Sequence, residues 1–381
     1  MIKSFEGLRG IAALFIVVHH MFCAWPHPLS ANAYLAVDLF FVLSGFVISS
    51  ACGPQLSNVA SLRIFMIRRI GRLWPTHLAT TVLALIVARH LPQVSETLAL
   101  ATMSQGLNVF QAGIGNAVSW STSDEMYVYL LFGVGYVLLR RAVRMGVFAA
   151  LALTACALAA WIEIDRACLL QGGCLSKLVH QFGWLRCIAG FFVGTLIYEF
   201  RDDLVTLTSH PVFQVTACSA ALFLLIAADA VPGSALTAPL TFGALISALI
   251  SDRGPVARVL QTPAALYLGK VSYPLYLAHG VMLPLVVSMP ADIGLMDQLV
   301  TYALFLFWAF AAAHVLHNYV EVPFRNRFNA WSQTFSHATS SHAPIQEPRG
   351  ALMHDAHGSR PARPQILKPA ETRSPRARQD R

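Results

Sequence analysis

Apolar residues run through this chain in long, nearly unbroken stretches separated by short polar links. Ten such stretches stand out, at residues 8–26, 34–51, 72–90, 117–139, 146–164, 179–200, 211–229, 235–251, 264–288 and 297–321. A helix needs about 20 apolar residues, at ~1.5 Å of rise each, to cross the hydrocarbon of a bilayer. Few of the stretches carry the polar stripe at helical spacing that a soluble bundle shows toward water. The pattern predicts an all-α fold, a polytopic transmembrane bundle of about ten helices. The first stretch has the look of a signal peptide. However, it lacks a small-residue cleavage site and is interrupted by Arg9, His19 and His20, so it reads as a retained helix.

Composition agrees. Of 381 residues, 56% are hydrophobic and 12% charged, against roughly 25% charged in an ordinary soluble domain. The links alternate in charge. One set holds Arg63, Arg68, Arg69, Arg72, Arg140, Arg141, Arg144, Arg201, Arg253 and Arg258. The other holds mainly Arg89, Arg166 and Lys177 against Glu96, Asp165, Asp229, Asp292 and Asp297. By the positive-inside rule the arginine-rich side is cytoplasmic, which puts both termini there and makes this a multi-pass protein of the cell membrane, the inner one where two exist. The excess of positive charge does not imply nucleic acid. Residues 325–381 contribute a net +6 of the chain's +8. Residues 1–328 therefore read as one membrane domain, and 329–381 as a disordered basic cytoplasmic tail suited to anionic lipid headgroups. The seven cysteines show no metal-ligand spacing, so no metal is expected. Cys168 and Cys174 share one link and would pair in an oxidising compartment or else stay free thiols. Nothing in the sequence sets the oligomeric state, and self-association stays open.

Ionisable groups inside a bilayer are costly and usually face a cavity where they carry function. Here they are His19, His20, Asp38, Glu125, His279, His314 and His317. Counted along their helices, His20, Asp38, Glu125 and His279 fall in one outer layer. The cations collect at the other end. Arg9 precedes His20 by eleven residues, about 16 Å along a helix. Arg69 and Arg72, spaced i,i+3, share a face. Guanidinium forks suit phosphate oxygens. An extended ligand with phosphates at one end and a reactive group some 16–20 Å away would fit, and coenzyme A has that shape. His19, His314 and His317 read as satisfied interhelical hydrogen-bonders. Asp38 suits an orienting ion pair or a purely structural one. Trp74 and Trp120 read as interfacial anchors.

Several segments together resemble the membrane-bound acyltransferase-3 family, which acylates extracytoplasmic glycans. They are FEGLRGIAALFIVVHH with Arg9 and His20, VDLFFVLSGFVIS with Asp38 and Ser44, and FMIRRIGRLWP with Arg69 and Arg72. WSTSDEMYVYLL with Glu125 and Tyr129, RCIAGFFVGTLIY with Arg186, LGKVSYPLYLAHG with Ser272, Tyr276 and His279, and YVEVPFR with Glu321 follow in order. The likeness covers roughly residues 4–328. Asp124 and Met126 flank Glu125 where many relatives carry an apolar residue or another acid. Some members carry an additional hydrolase-like domain, which this sequence does not show.

The resemblance implies an enzyme, an acyltransferase, moving an acetyl or other short acyl group from acetyl-CoA to a hydroxyl of an exopolysaccharide, lipopolysaccharide or lipid-linked oligosaccharide. Arg9, Arg69 and Arg72 would bind the donor phosphates. His20 would act as general base or accept the acyl group transiently, with Glu125 or, second, Asp38 holding its ring as in a triad. Ser272, Tyr276 or His279 would polarise the thioester or contact substrate. The rival expectation is a secondary transporter with a His/Asp/Glu proton relay. Transporters often show internally repeated halves, and the Arg-x10-His and Trp-Ser segments have no counterparts later in the chain.

Overall fold

The computed structural model describes residues 2–22, 30–110, 113–167, 179–290 and 293–340. Among them every regular element is helical. The first half holds α1 (Lys3–Met21), α2 (Ala36–Cys52), α3 (Val59–Ala88), α4 (Val94–Thr102), α5 (Trp120–Leu138), α6 (Arg141–Asp165) and α7 (Val179–Glu199). The second half holds α8 (Arg201–Thr208), α9 (Pro211–Ala227), α10 (Ala238–Leu249), α11 (Pro255–Leu260), α12 (Pro263–Met282), α13 (Pro284–Val287), α14 (Leu295–Leu316) and α15 (Val322–Ser340). One π-helical turn, His317–Glu321, joins the last two.

The ten expected spans correspond to α1, α2, α3, α5, α6, α7, α9, α10, α12 and α14. Among the described residues, six helical stretches are long and apolar enough to cross a membrane on their own. Large apolar side chains face outward around the bundle, among them Leu153, Trp161, Phe223, Phe307 and Trp308. Polar groups such as Asp38, His77, Asp124 and His279 are buried. A surface this apolar suits contact with lipid.

Three boundaries differ from the sequence expectation. Helix α3 starts at Val59 rather than 72. Its first turns are amphipathic and basic, so an apolar run misses them. They are fixed by a capping box in which the Ser61 N–H donates to the Asn58 side chain (2.9 Å) and the Asn58 N–H donates to the Ser61 hydroxyl (3.0 Å). Helix α4 occupies what read as a link. Helix α15 carries order through Ser340, past the expected boundary at 328, because it packs along the basic half of α3. There the Arg68 Nε donates to the Ser332 hydroxyl (2.9 Å), and the Arg63 guanidinium lies 3.9 Å from the Phe335 ring centre. Cys168, Cys174, Lys177, Asp292 and the tail from 341 lie outside the described residues.

Helices α1 and α12 run parallel in close contact. A Cβ at Gly10 would sit 2.5 Å from the Gly269 nitrogen, and one at Gly269 would sit 2.1 Å from the Glu6 carbonyl oxygen. Helices α2 and α7 meet similarly, a Cβ at Gly194 falling 1.8 Å from the Val42 carbonyl oxygen. Small residues at these crossings bring backbones together where side chains would hold them apart.

Candidate active site

A cavity enclosing about 830 Å³ of empty space, its open mouth included, lies between α1, α2, α3, α5 and α12. Arg9, Arg69 and Arg72 line it, and α3 presents the last two on one face. Arg9 is bonded to Glu6 (3.1 Å) but leaves its Nε buried without a partner. The Arg69 Nε is likewise buried and unbonded. Among the described residues, neither Arg69 nor Arg72 forms an ion pair. Unpaired cations in a partly buried cavity are costly; Glu321, Glu125 and Glu6 offset part of that cost at Arg72 through space, and an anionic ligand would offset more.

Farther along the cavity stands a carboxylate with two hydroxyls. The Ser44 hydroxyl donates to the Glu125 Oε1 (2.6 Å), and the Tyr129 hydroxyl donates to the same oxygen. Ser44 and Tyr129 are themselves 2.9 Å apart. Helix α5 sets the arrangement by placing Ser121, Glu125 and Tyr129 at i, i+4 and i+8 on one face. The α12 wall carries Ser272, Tyr273 and Tyr276. The Ser272 hydroxyl donates to the Gly269 carbonyl (2.8 Å), and the Tyr273 hydroxyl to the Leu73 carbonyl (2.7 Å). The Tyr276 hydroxyl donates to the Val118 carbonyl (2.7 Å), so the Ser121 hydroxyl, 2.8 Å away, serves as its donor.

The cavity lining stops at Tyr276, and the two histidines lie behind it. The Tyr276 and His279 rings are centred 5.6 Å apart, and the His279 and His20 rings 5.0 Å apart. The His20 Nδ1 is 3.0 Å from the Ile16 carbonyl oxygen and 3.3 Å from the His279 Nε2. The His279 Nδ1 is 3.2 Å from the Leu275 carbonyl oxygen. A carbonyl only accepts, so each Nδ1 carries the proton if these bonds form. One pattern then satisfies all three contacts. The His279 Nε2 accepts from the His20 Nδ1–H, and the His20 Nε2 keeps its lone pair.

This corrects the expected triad. Glu125 does not reach His20, because its carboxylate is turned to Ser44 and Tyr129. Asp38 does not reach it either. The Arg186 Nη2 and Nε donate to the two Asp38 oxygens at 2.5 and 3.1 Å, with both side chains at most 4% exposed. The ring next to His20 is His279. The common depth of these four groups along their helices was legible. Their rotation about the helix axes was not, so the expected layer divides into a histidine pair, an ion pair and a hydroxyl-bonded carboxylate. Trp120 is also no interfacial anchor. It is 7% exposed, packed against Phe41 with the Arg186 guanidinium 5.6 Å from its ring. Trp74 donates to the Ala101 carbonyl at 2.9 Å. His19, His314 and His317 bond the Ser30 carbonyl, Tyr267 and Glu321 at 2.7, 3.0 and 2.8 Å. No role follows for Ser44 and Tyr129 from the sequence alone, although both lie in the segments that carry the resemblance.

Apolar-faced helices surround an arginine-lined cavity, with a carboxylate in its wall and two buried histidines behind it, and define a membrane protein with an internal polar site. The chain belongs to the acyltransferase-3 family, whose model, described as an acyltransferase domain, matches residues 2–334. It is similar to "Protein 2 in picA locus" of Rhizobium radiobacter, 44% identical over 84 residues, covering 22% of this chain and 42% of that protein. It is also similar to the putative peptidoglycan O-acetyltransferase YrhL of Bacillus subtilis (strain 168), 38% identical over 76 residues, 19% of this chain and 11% of that one. The peptidoglycan O-acetyltransferase OatA of Listeria monocytogenes is 34% identical over 76 residues, 19% and 12% of the two chains. The matched stretches thus span less than half of these relatives' lengths. No solved structure matches significantly.

Proposed function

We propose that this protein transfers an acetyl or other short acyl group from cytoplasmic acetyl-CoA to a hydroxyl of an extracytoplasmic carbohydrate. The observation that carries the reading is the cavity itself. Arg69 and Arg72 line it with no direct ion pair among the described residues, Arg9 joins them, and it ends at a tyrosine backed by two histidines. Coenzyme A phosphates would sit on the arginines, with the pantetheine arm along the apolar wall of Val37, Phe40 and Val47. The thioester would come to Tyr276. The arginine end then faces the cytoplasm, in keeping with the positive-inside bias.

His20 acts as general base through Nε2. It takes the proton of the acceptor hydroxyl as that oxygen attacks the thioester carbonyl carbon. The C–S bond breaks, and the departing CoA sulfur takes the proton from the imidazolium. The products are the O-acyl sugar and free CoA thiol. Ser44 and Tyr129 keep Glu125 oriented toward the cavity. O-acetyltransferase names among the relatives support an acetyl donor and an oxygen acceptor. A polysaccharide or lipid-linked glycan fits the side of the bundle on which His20 lies.

The test follows release of CoA thiol from acetyl-CoA by the protein in nanodiscs, with a panel of glycans offered. The native chain should release thiol in a glycan-dependent manner, and His20→Ala should lose about 10²–10⁴-fold of that rate while binding acetyl-CoA unchanged. A folded protein that neither binds acetyl-CoA nor releases thiol with any glycan would end the proposal.

A further inference from the structure

Glu125 does not hold the His20 ring, yet among the described residues it is the one acidic side chain in the wall of the donor cavity. Its two oxygens differ. Oε1 accepts from the Ser44 hydroxyl (2.6 Å) and from the Tyr129 hydroxyl. Oε2 bonds no described protein group, and it is not among the oxygens sealed away from space, so it keeps open surface in a residue that lines the cavity. A carboxylate oxygen only accepts. Whatever completes Oε2 is therefore a donor, and it comes from the contents of the cavity.

Height along the cavity narrows the choice. The Ser121 hydroxyl, 2.8 Å from that of Tyr276, marks the end at which the thioester would stand. Glu125 lies one turn along α5 from Ser121, roughly 6 Å away, and Tyr129 lies a further turn on. Glu125 and Tyr129 both act through space on Arg69 and Arg72, so this direction leads toward the arginines. A fixed negative charge at mid-height repels a phosphate or a carboxylate and suits a neutral group that carries an N–H. In an acyl-CoA the first N–H is that of the cysteamine amide. Its nitrogen is four bonds from the thioester carbonyl carbon, roughly 5 Å when the chain is extended. That interval matches the turn between Ser121 and Glu125. The stretch is an unbranched chain, which asks for a narrow passage and not a broad chamber.

We propose that Glu125 Oε2 accepts a hydrogen bond from the cysteamine amide N–H of the acyl donor and so sets the height at which the thioester stops. The proposal rests on the transferase reading above and adds to it a contact with the pantetheine arm. Glu125 binds the donor away from the reacting atoms, and Ser44 and Tyr129 hold it by its other oxygen.

The experiment measures, by calorimetry in phosphatidylglycerol nanodiscs, the binding of acetyl-CoA and of an analogue whose cysteamine amide N–H is replaced by an ester oxygen. The native chain should prefer acetyl-CoA about tenfold, the scale of a hydrogen bond to a charged group. In Glu125→Ala the preference should fall to within twofold. Glu125→Gln keeps the shape and guards against a folding defect. Its carbonyl can take the Ser44 and Tyr129 bonds, which turns an NH₂ toward the donor, so the preference should vanish there as well. Equal binding of the two ligands by the native chain would overturn the proposal. So would a native-sized preference in both variants, since a residue that only supports the wall weakens both ligands by the same factor. A native chain that binds neither ligand would instead sink the transferase reading, and this proposal with it.

Discussion

His20 and His279 each aim Nδ1 at the carbonyl four residues back in their own helix, at 3.0 and 3.2 Å. On the proposed mechanism His279 would do for His20 what a carboxylate does in a triad, holding the ring through Nδ1, but without a charge to stabilise an imidazolium. His279→Phe should therefore lower turnover roughly tenfold to a hundredfold, the scale of a misplaced catalytic group. KM for acetyl-CoA should stay within a factor of two in steady-state assays. An unchanged turnover would show that Ile16 alone suffices. Asp38 behaves differently. Its pair with Arg186 is buried, and breaking a buried pair costs about 3–5 kcal/mol, while replacing both partners with apolar residues of similar size is often neutral. Asp38→Leu should lower the unfolding temperature markedly in detergent, and Asp38→Leu with Arg186→Met should restore it together with transfer activity. A double variant that is stable but inactive would give Asp38 a part in the chemistry. Residue types at this scale were largely legible in the sequence, since the cavity does collect Arg9, Arg69, Arg72, Glu125, Ser272 and Tyr276. Which of them touch was not legible. The Arg186–Asp38 contact joins positions 148 apart in sequence, and no local pattern records it.

Helix α1 has no side-chain cap of its own at Ile2. The cap comes from the link between α10 and α11, where the Asp252 carboxylate accepts from the Lys3 and Ser4 N–H groups at 2.9 Å each. The Gln261 amide adds a third bond at 2.8 Å. Partial burial pushes the Asp252 carboxyl up, but the Ser4, Lys3 and Gln261 bonds outweigh it and hold the group below the ordinary carboxylate range. The folded pKa thus lies below the unfolded value of ~3.9. The stabilisation is complete above that value and is lost as pH falls through the folded one. Hydrogen exchange of the first turn of α1 should be steady from neutral pH to mild acid, after correction for intrinsic rates, and should quicken below it. Asp252→Ala should show the quickened exchange at every pH, at a cost of about 0.5–2 kcal/mol. Exchange indifferent to the substitution would mean that packing alone fixes this end. Apolar runs were enough to place ten of the helices from sequence. They missed the basic start of α3 and all of α15, because those helices are stabilised by each other, through Arg68 with Ser332 and Arg63 with Phe335, and not by a run of apolar residues.

The described residues form an apolar girdle around a polar interior, with the arginines at one end of a cavity and the histidines behind its other end. Glycine contacts at Gly10 and Gly269 press α1 and α12 together, although more than half of the chain lies between them. The His20–His279 contact spans 259 positions, and the cavity takes walls from α1, α2, α3, α5 and α12. That parallel pairing of an early helix with a late one has a consequence for how the protein is made. While the ribosome is still producing the first eight spans, the membrane already holds Arg9, the α3 arginines and His20, but the wall bearing Tyr276 and the second imidazole does not yet exist. Under the proposed function, a chain that stops before α12 therefore has no finished chamber for a thioester, and the chemistry waits until that helix has been made.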